Sequence, residues 1–371
     1  VARRPVTTDI EVFPEADRLE GYPHPRETLQ VHGHQTAEEA FGESFRSGRL
    51  HHGWLISGKR GIGKATLGYK LARYLLAEPE ERLPGGIEIV PDGTTWRQAL
   101  ALSHPRLLLI RRPYDIKAKR FAASIPVDEV RRLRSFLAHS AGPGAWRVVM
   151  VDQADELNGP AANALLKALE EPPQRCVFLL ISSEPGRLLA TVKSRCRRLD
   201  LDPLNDADFA RAVSQAREAG ELEPFAGEEL QRLAAIAQGS VRRALQLSEA
   251  DGIALQSRVS ALLGMLPKVD WPGVHALADE VTGAGSEQRF EIFFDLLLET
   301  VADMVHARAT GGAMRCGGID CGRVIDEGRL AGWAELWERV VARKAEAMVL
   351  NLDRRALVIE TVGRLQALAR G

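Results

Sequence analysis

Cysteine is scarce in this chain: four in 371 residues, at Cys176, Cys196, Cys316 and Cys321. That is too few and too scattered for a disulfide framework, and it fits a reducing compartment. A net charge is missing as well, since 49 Lys+Arg face 50 Asp+Glu and leave −1. The chain is therefore no basic coat for nucleic acid, and any DNA contact has to come from local patches. No apolar run approaches a membrane span; the strongest, Val177 to Ile181, is strand-sized. Val1 to Gly21 is charged and contains proline without the apolar core of a signal peptide, so a cytoplasmic location and no membrane partner are expected. Neither an internal repeat nor a low-complexity tract stands out. What is present is ordinary for a globular protein, with 45% hydrophobic and 27% charged residues. At roughly 150 residues per domain, the length suggests two or three domains.

Residues 1–25, punctuated by Pro14, Gly21, Pro23 and Pro25, read as an irregular arm. Residues 26–203 alternate short apolar runs with helical periodicity. Strands are expected at Gly53–Ser57, Leu107–Ile110, Trp146–Val151, Val177–Ser182 and Arg197–Leu201. One helix should follow the first strand through Leu76, and another should cover Val127–His139. A third should be capped by Asn158 with Pro160 in its first turn and end at Pro172-Pro173. Such alternation implies a parallel sheet covered by helices. After Pro203 the strand signal stops. Residues 204–251 read as a small helical lid with Leu230, Leu233 and Ile236 in one stripe, and residues 252–371 as an all-α domain. There, Phe290, Phe293, Leu297, Val301 and Met304 form one stripe, and Trp333, Leu336, Trp337, Val340 and Val341 another.

Gly58-Lys-Arg-Gly61-Ile-Gly63-Lys64-Ala65-Thr66 follows a strand and opens a helix. In that context the spacing reads as a P-loop, whose backbone N–H groups and helix N-terminus cradle phosphate while Lys64 reaches the terminal phosphates. The residue after the lysine should carry a hydroxyl for Mg²⁺. Here it is Ala65, and Thr66 lies about 100° further around the helix. The second half of such a site is an acid at the end of an apolar strand, which Asp152 supplies. Beside it, where active enzymes place a glutamate, stands Gln153, an amide that is no base. Asp155 and Glu156 read as loop or helix-start residues rather than as a displaced base. ATP or ADP binding is therefore expected to be weak or absent, with Mg²⁺ only alongside nucleotide.

The run from Val149 through Asp152 to Asn163-Ala-Leu-Leu-Lys167-Ala-Leu-Glu170-Glu171-Pro172-Pro173, then Ser194-Arg195-Cys196, resembles the AAA+ clamp-loader family. His32-Gly-His34 and Leu50-His51-His52-Gly-Trp54 match the lead-in to its P-loop. Gly239-Ser-Val-Arg242-Arg-Ala-Leu245 is similar to its lid motif, and Asn351-Leu-Asp-Arg-Arg355 to its last helix. The resemblance implies an AAA+ RecA-like α/β domain, a helical lid and a helical collar. Ala65 with Gln153 resembles the delta-prime branch, a non-motor stator, rather than the gamma/tau motors. Implied partners are the gamma/tau and delta subunits, with the sliding clamp and primed DNA reached through the complex. Many members carry a four-cysteine zinc knob, but no cysteine lies between Leu76 and Trp146, so no zinc is expected.

The resemblance gives Arg195 the role of a trans arginine finger on a neighbour's γ-phosphate; a solvated base beside Lys193, Arg197 and Arg198 is the alternative. Arg242 would reach this chain's own nucleotide, or else share a solvated helix face with Arg243. Ser182 and Ser183 could meet a phosphate or a water, or be turn residues. Cys316 and Cys321, with His306 upstream, lack a second ligand pair and are expected to be free thiols. Arg111, Arg112, Lys117, Lys119 and Arg120 form a basic run that either tracks DNA phosphates or solubilises a loop.

Overall fold

The computed structural model describes residues 14–138, 142, 144–283, 285–312, 314, 318–350 and 352–371. Cys316 and Asn351 lie outside them. The chain divides into two compact units. One comprises residues up to Phe225 together with Gly239–Arg242; the other comprises Ala226–Gln238 and Arg243–Gly371.

The first unit is built on α1 (Gln35–Arg46), β1 (Gly53–Ser57), α2 (Lys64–Leu76), α3 (Thr94–Leu100) and β2 (Leu107–Ile110). A two-stranded ribbon follows, β3 (Tyr114–Asp115) and β4 (Arg120–Phe121), then α4 (Val127–Ala138) and β5 (Arg147–Val151). The unit continues with α5 (Gly159–Glu170), β6 (Cys176–Ser182), α6 (Ala190–Lys193), β7 (Arg197–Asp200) and α7 (Asp206–Ala219). Five strands form one parallel sheet in the order β2-β5-β6-β1-β7. Every main strand expected from the sequence is present, within a residue at each end. Alternate side chains face opposite layers, as a strand requires. Trp54, Ile56, Met150, Leu179 and Ile181 join α1 and α2 in one core, whereas Leu55, Val149, Val151, Phe178 and Leu180 join α4 and α5 in another. Asn158 caps α5 by accepting from the Ala161 N–H at 2.9 Å, with Pro160 in the first turn. At Gly68 an added Cβ would lie 3.1 Å from Ile181 and 3.2 Å from Met150, so α2 packs onto the sheet at a distance only a small residue permits.

The segment between α2 and β2 was not resolved into elements by periodicity. Within it, the Glu81 carboxylate accepts from the Thr95 N–H (3.1 Å) and hydroxyl (2.5 Å), and the Arg73 guanidinium stacks 4.2 Å from the Trp96 ring.

The second unit contains α8 (Gly227–Ala237), all of α9 (Val241–Glu249) beyond Arg242, α10 (Gly252–Met265), α11 (Trp271–Thr282), α12 (Glu287–Thr310), α13 (Cys321–Val324), α14 (Leu330–Leu350) and α15 (Arg354–Arg370). Phe290, Phe293, Leu297, Val301 and Met304 are buried as one stripe of α12. On α14 the expected stripe is narrower: Trp333, Leu336 and Val340 are buried, but Trp337 (36%) and Val341 (37%) are exposed. The Trp337 indole sits at the edge of the interface, where its N–H donates to the Leu298 carbonyl at 3.0 Å. The last-helix motif is structural here. Asp353 caps α15 through the Ala356 N–H (2.9 Å), Arg354 pairs with Glu287 (2.6 Å), and Arg355 pairs with Asp279.

Candidate functional site

Parallel strands bring all their carboxyl ends to one edge, where open α/β sheets bind ligands. The register fixes the order along that edge. Ile110, Val151 and Leu180 are paired across β2, β5 and β6; Ser57 is paired with Ser182 and with Asp200. Arg111, Asp152, Ser182–Ser183, Gly58 and Leu201 therefore follow one another along it. Strand β6 separates the phosphate-loop strand from the acid strand, a gap of two strand spacings or about 10 Å.

Gly58, Gly61 and Gly63 all have left-handed backbone, with φ of +150°, +80° and +101°. Two of them are also pressed by neighbours. A Cβ on Gly58 would lie 2.5 Å from the Leu201 carbonyl oxygen, and one on Gly61 would lie 2.3 Å from Ser240 Oγ. The loop shape and its close surroundings both demand glycine. Lys64 opens α2 and is buried; its ammonium donates to the carbonyls of Gly58 (2.9 Å) and Lys59 (2.6 Å). Burial lowers the Lys64 pKa to about 8, against the pull of Asp152 and Asp155. His34, buried beneath the loop, donates from Nε2 to the Ile62 carbonyl (2.7 Å) and fixes the loop from below. Burial depresses its pKa. The motif around His34 was legible, but its bracing role was not.

The acid side is engaged in internal contacts. Asp152 is buried, and burial together with the nearby Asp17 charge raises its pKa to about 7. Gln153 has left-handed backbone (φ 54°), and its amide nitrogen, turned to satisfy both groups, donates to the Glu156 carboxylate at 2.8 and 2.6 Å. Glu156 also pairs with Arg112 (2.6 Å), while Asp155 accepts from the Ser183 N–H (3.0 Å). Both acids thus hold the turn after β5. Ser182 Oγ is buried and has no hydrogen-bond partner among the described residues. These residues fit a phosphate group: left-handed glycines, a lysine and the open N–H groups of α2. They do not fit the hydrolytic magnesium, because Ala65 offers no oxygen and Thr66 is the third residue of α2.

The Asp152 carboxyl gives a direct test. Its folded pKa lies above the unfolded 3.8, so between pH 3.8 and about 7 the folded state holds a proton that the unfolded state has released. Stability therefore falls as pH rises through that window, and the full penalty stands above it. Asp152→Asn removes the penalty. Its melting temperature should exceed that of the unsubstituted chain at pH 8, with the gain shrinking towards pH 5. A gain that does not change with pH, or a loss at pH 8, would contradict the assignment.

Arg242 and Arg243 part company. Arg242 is largely buried; its backbone N–H donates to the Gly61 carbonyl (3.4 Å), and its guanidinium donates to the carbonyls of Asp17 (3.1 Å) and Arg18 (3.4 Å). Arg243 pairs with Glu299 of the second unit. The arm is not wholly irregular over its described part. His24 is fully buried, Asp17 and Tyr22 nearly so, and His24 caps a 3₁₀ turn at Pro25–Glu27. The basic run splits too. Arg111 pairs with Glu15 and Asp17, both at 2.6 Å, and Arg112 with Glu156, whereas Lys117, Lys119 and Arg120 are exposed. The two inner arginines are thus committed to internal pairs rather than available as a DNA track. For Glu15, burial is outweighed by hydrogen bonds from Arg26 and Arg111, which bring its pKa down to about 2. For Asp17, burial is outweighed by His24 and Arg111, again down to about 2.

Arg195 lies elsewhere. It precedes β7, at the amino edge of the sheet opposite the phosphate loop, with its side chain 35% exposed. Its guanidinium pairs with Glu170 (2.7 Å) and donates to the Thr191 carbonyl (2.9 Å). Burial pushes the neighbouring Cys196 thiol up to about 12. Among the described residues no group of three or more His, Cys, Asp or Glu is placed to hold a metal, and no helix is long and apolar enough to cross a membrane.

Residues 33–205 match the family described as DNA polymerase III, delta subunit. The chain is similar to DNA polymerase III subunit tau of Escherichia coli K12, 32% identical over 255 residues, covering 65% of this chain and 36% of tau. It is similar to subunit delta' of the same organism, 32% identical over 238 residues, covering 62% of this chain and 64% of delta'. A DNA polymerase III gamma subunit-related protein of Thermotoga maritima aligns at 17% identity and a TM-score of 0.42, over 91% of this chain and all of that one. The chain spans about a third of the length of tau and somewhat under two thirds of delta'. The match over residues 33–205 and these relatives support a place for the chain in the DNA polymerase III clamp-loader family.

Proposed function

We propose that this chain is a non-motor clamp-loader subunit of the delta-prime kind. It would hold a stator position beside the gamma/tau motor and the delta subunit, and would help load the sliding clamp onto primed DNA. Residues 204–251 would serve as its lid and 252–371 as its collar, and Arg195 as the arginine it lends to a neighbouring motor. Identity to tau and to delta' is the same 32%, so the residues of the site carry the choice. The observation that carries it is the acid strand. Where a motor needs a base, Gln153 is tied to Glu156, and Ala65 withholds the magnesium hydroxyl. Nucleotide would be held weakly or not at all, and the phosphate loop would serve the packing of the first unit.

Two measurements test the reading. The isolated chain should turn over ATP no faster than buffer, and it should form a stoichiometric complex with gamma/tau and delta. An ATPase rate in the isolated chain that vanishes in Lys64→Ala would make it a motor instead. Failure to assemble with gamma/tau and delta would remove the stator role.

A further inference from the structure

The described part of the arm crosses the nucleotide edge of the sheet, and its contacts there are specific. Arg242, the one lid-motif arginine placed against the phosphate loop, spends its guanidinium on two backbone carbonyls of the arm, Asp17 (3.1 Å) and Arg18 (3.4 Å). The arm is pinned on both sides of that contact. Arg111, at the carboxyl end of β2, grips Glu15 and Asp17 at 2.6 Å each, and His24 Nε2 lies 2.8 Å from the Asp17 carboxylate. Further along, Arg73 of α2 donates to the carbonyls of Arg26 (2.7 Å) and Thr28 (3.0 Å), and Arg26 donates to the Leu100 carbonyl (2.9 Å).

We infer that residues 14–28 form a resident strap over the phosphate site, which must release Arg242 before a nucleoside di- or triphosphate can be held by Lys64 and Arg242 together. This rests on the reading that the site retains a phosphate cradle without hydrolysis. The physical basis is competition. The strap meets Arg242 with neutral carbonyl dipoles, whereas a phosphate would offer ionised oxygens that a guanidinium can grip with two parallel N–H groups. The strap also sets the Glu15 and Asp17 carboxylates beside the acid strand, where they repel an incoming polyanion. The exchange is thus opposed by the pins and favoured by the ligand, which makes the strap displaceable rather than permanent.

The test uses the full chain and fluorescent mant-ADP. Replacing both pins, Glu15→Gln with Asp17→Asn, keeps the shapes and removes the charges that Arg111 holds. The double variant should bind mant-ADP at least roughly tenfold more tightly than the unsubstituted chain, a gain of about 1.4 kcal/mol. Hydrogen exchange is read in parallel on the unsubstituted chain. Amides of residues 14–28 should exchange faster with saturating ADP, and this acceleration should be absent in Lys64→Ala. The exchange readout needs no arm substitution, so it stands even if the double variant folds poorly. Equal affinities, no binding by the folded double variant, or slower exchange of the strap with ADP would each overturn the inference. The last would mean that the arm is part of the pocket. ATP turnover by the unsubstituted chain would instead overturn the non-motor reading, while mant-ADP affinity still reports on the strap.

Discussion

On the proposed stator role, replacing Arg195 with alanine should leave the chain folded and able to assemble, and should cut hydrolysis at one neighbouring motor site by about a thousandfold or more, the usual worth of an arginine supplied in trans. The geometry favours action on a neighbour. Arg195 precedes β7 at the amino edge of the sheet, whereas Gly58 and Lys64 follow β1 at the carboxyl edge. A strand of four residues spans roughly 13 Å, too far for the guanidinium to turn back to its own loop. Its partner Glu170 is 42% exposed, and a pair that open contributes at most about 1 kcal/mol, so a γ-phosphate can displace it. Loss of one half-exposed arginine should change stability by about 0.5 kcal/mol or less. In a ring with several motor sites, total DNA-stimulated ATPase should fall partially, and clamp loading with it. Lysine should restore little, because an ammonium lacks the planar fork. Glu170→Ala should stay within a few-fold of the unsubstituted complex. An Arg195→Ala complex that hydrolyses ATP and loads clamps at the full rate would show that the finger comes from elsewhere.

The contrast between Arg195 and Arg111 shows what a sequence carries and what it hides. Strands β1, β5 and β6 are continuous apolar runs because both faces of a helix-covered parallel sheet are buried, so their positions are written in composition. The phosphate loop is equally legible, since left-handed turns require glycine at fixed spacing. Arg195 stands out in the sequence because its neighbours mark it, and its role remains a proposal. Arg111 is different. Its function depends on Glu15 and Asp17, nearly a hundred positions away, and nothing in Arg111-Arg112 tells a buried clamp from a solvated loop. The same holds for Arg242 against Arg243. Adjacent residues on a helix point about 100° apart, so only tertiary structure decides which meets the loop. His34 was visible as a motif, but its hydrogen bond to Ile62 spans 28 positions and leaves no periodic trace. The narrower stripe on α14 has a related cause. Hydrophobicity says that Trp337 and Val341 are apolar, not whether a neighbouring helix covers them.

Gly58→Ala should be among the most damaging single changes to the first unit, and for reasons independent of any ligand. At φ +150° an alanine is in a region that is nearly exclusive to glycine, a strain of about 1–3 kcal/mol. The added Cβ would also stand 2.5 Å from the Leu201 carbonyl oxygen and 2.8 Å from Ile62 Cδ1. Neither neighbour yields easily. Leu201 is tied to β1 by its N–H, which donates to the Ser57 carbonyl at 2.7 Å, and Ile62 is fully buried. Moving Leu201 away would open the β1–β7 pairing at its end, so overpacking should add about 1–3 kcal/mol. The natural control is Gly85→Ala. Gly85 also has left-handed backbone, at φ +95°, but nothing lies within 4 Å of its added Cβ. It should therefore show the backbone strain alone. The thermal midpoint of Gly58→Ala should fall by roughly 10 °C, given about 2–4 °C per kcal/mol in domains of this size, and well below that of Gly85→Ala. Equal midpoints for the two variants would mean that the Leu201 contact carries no cost and that Gly58 is required only by its backbone angle.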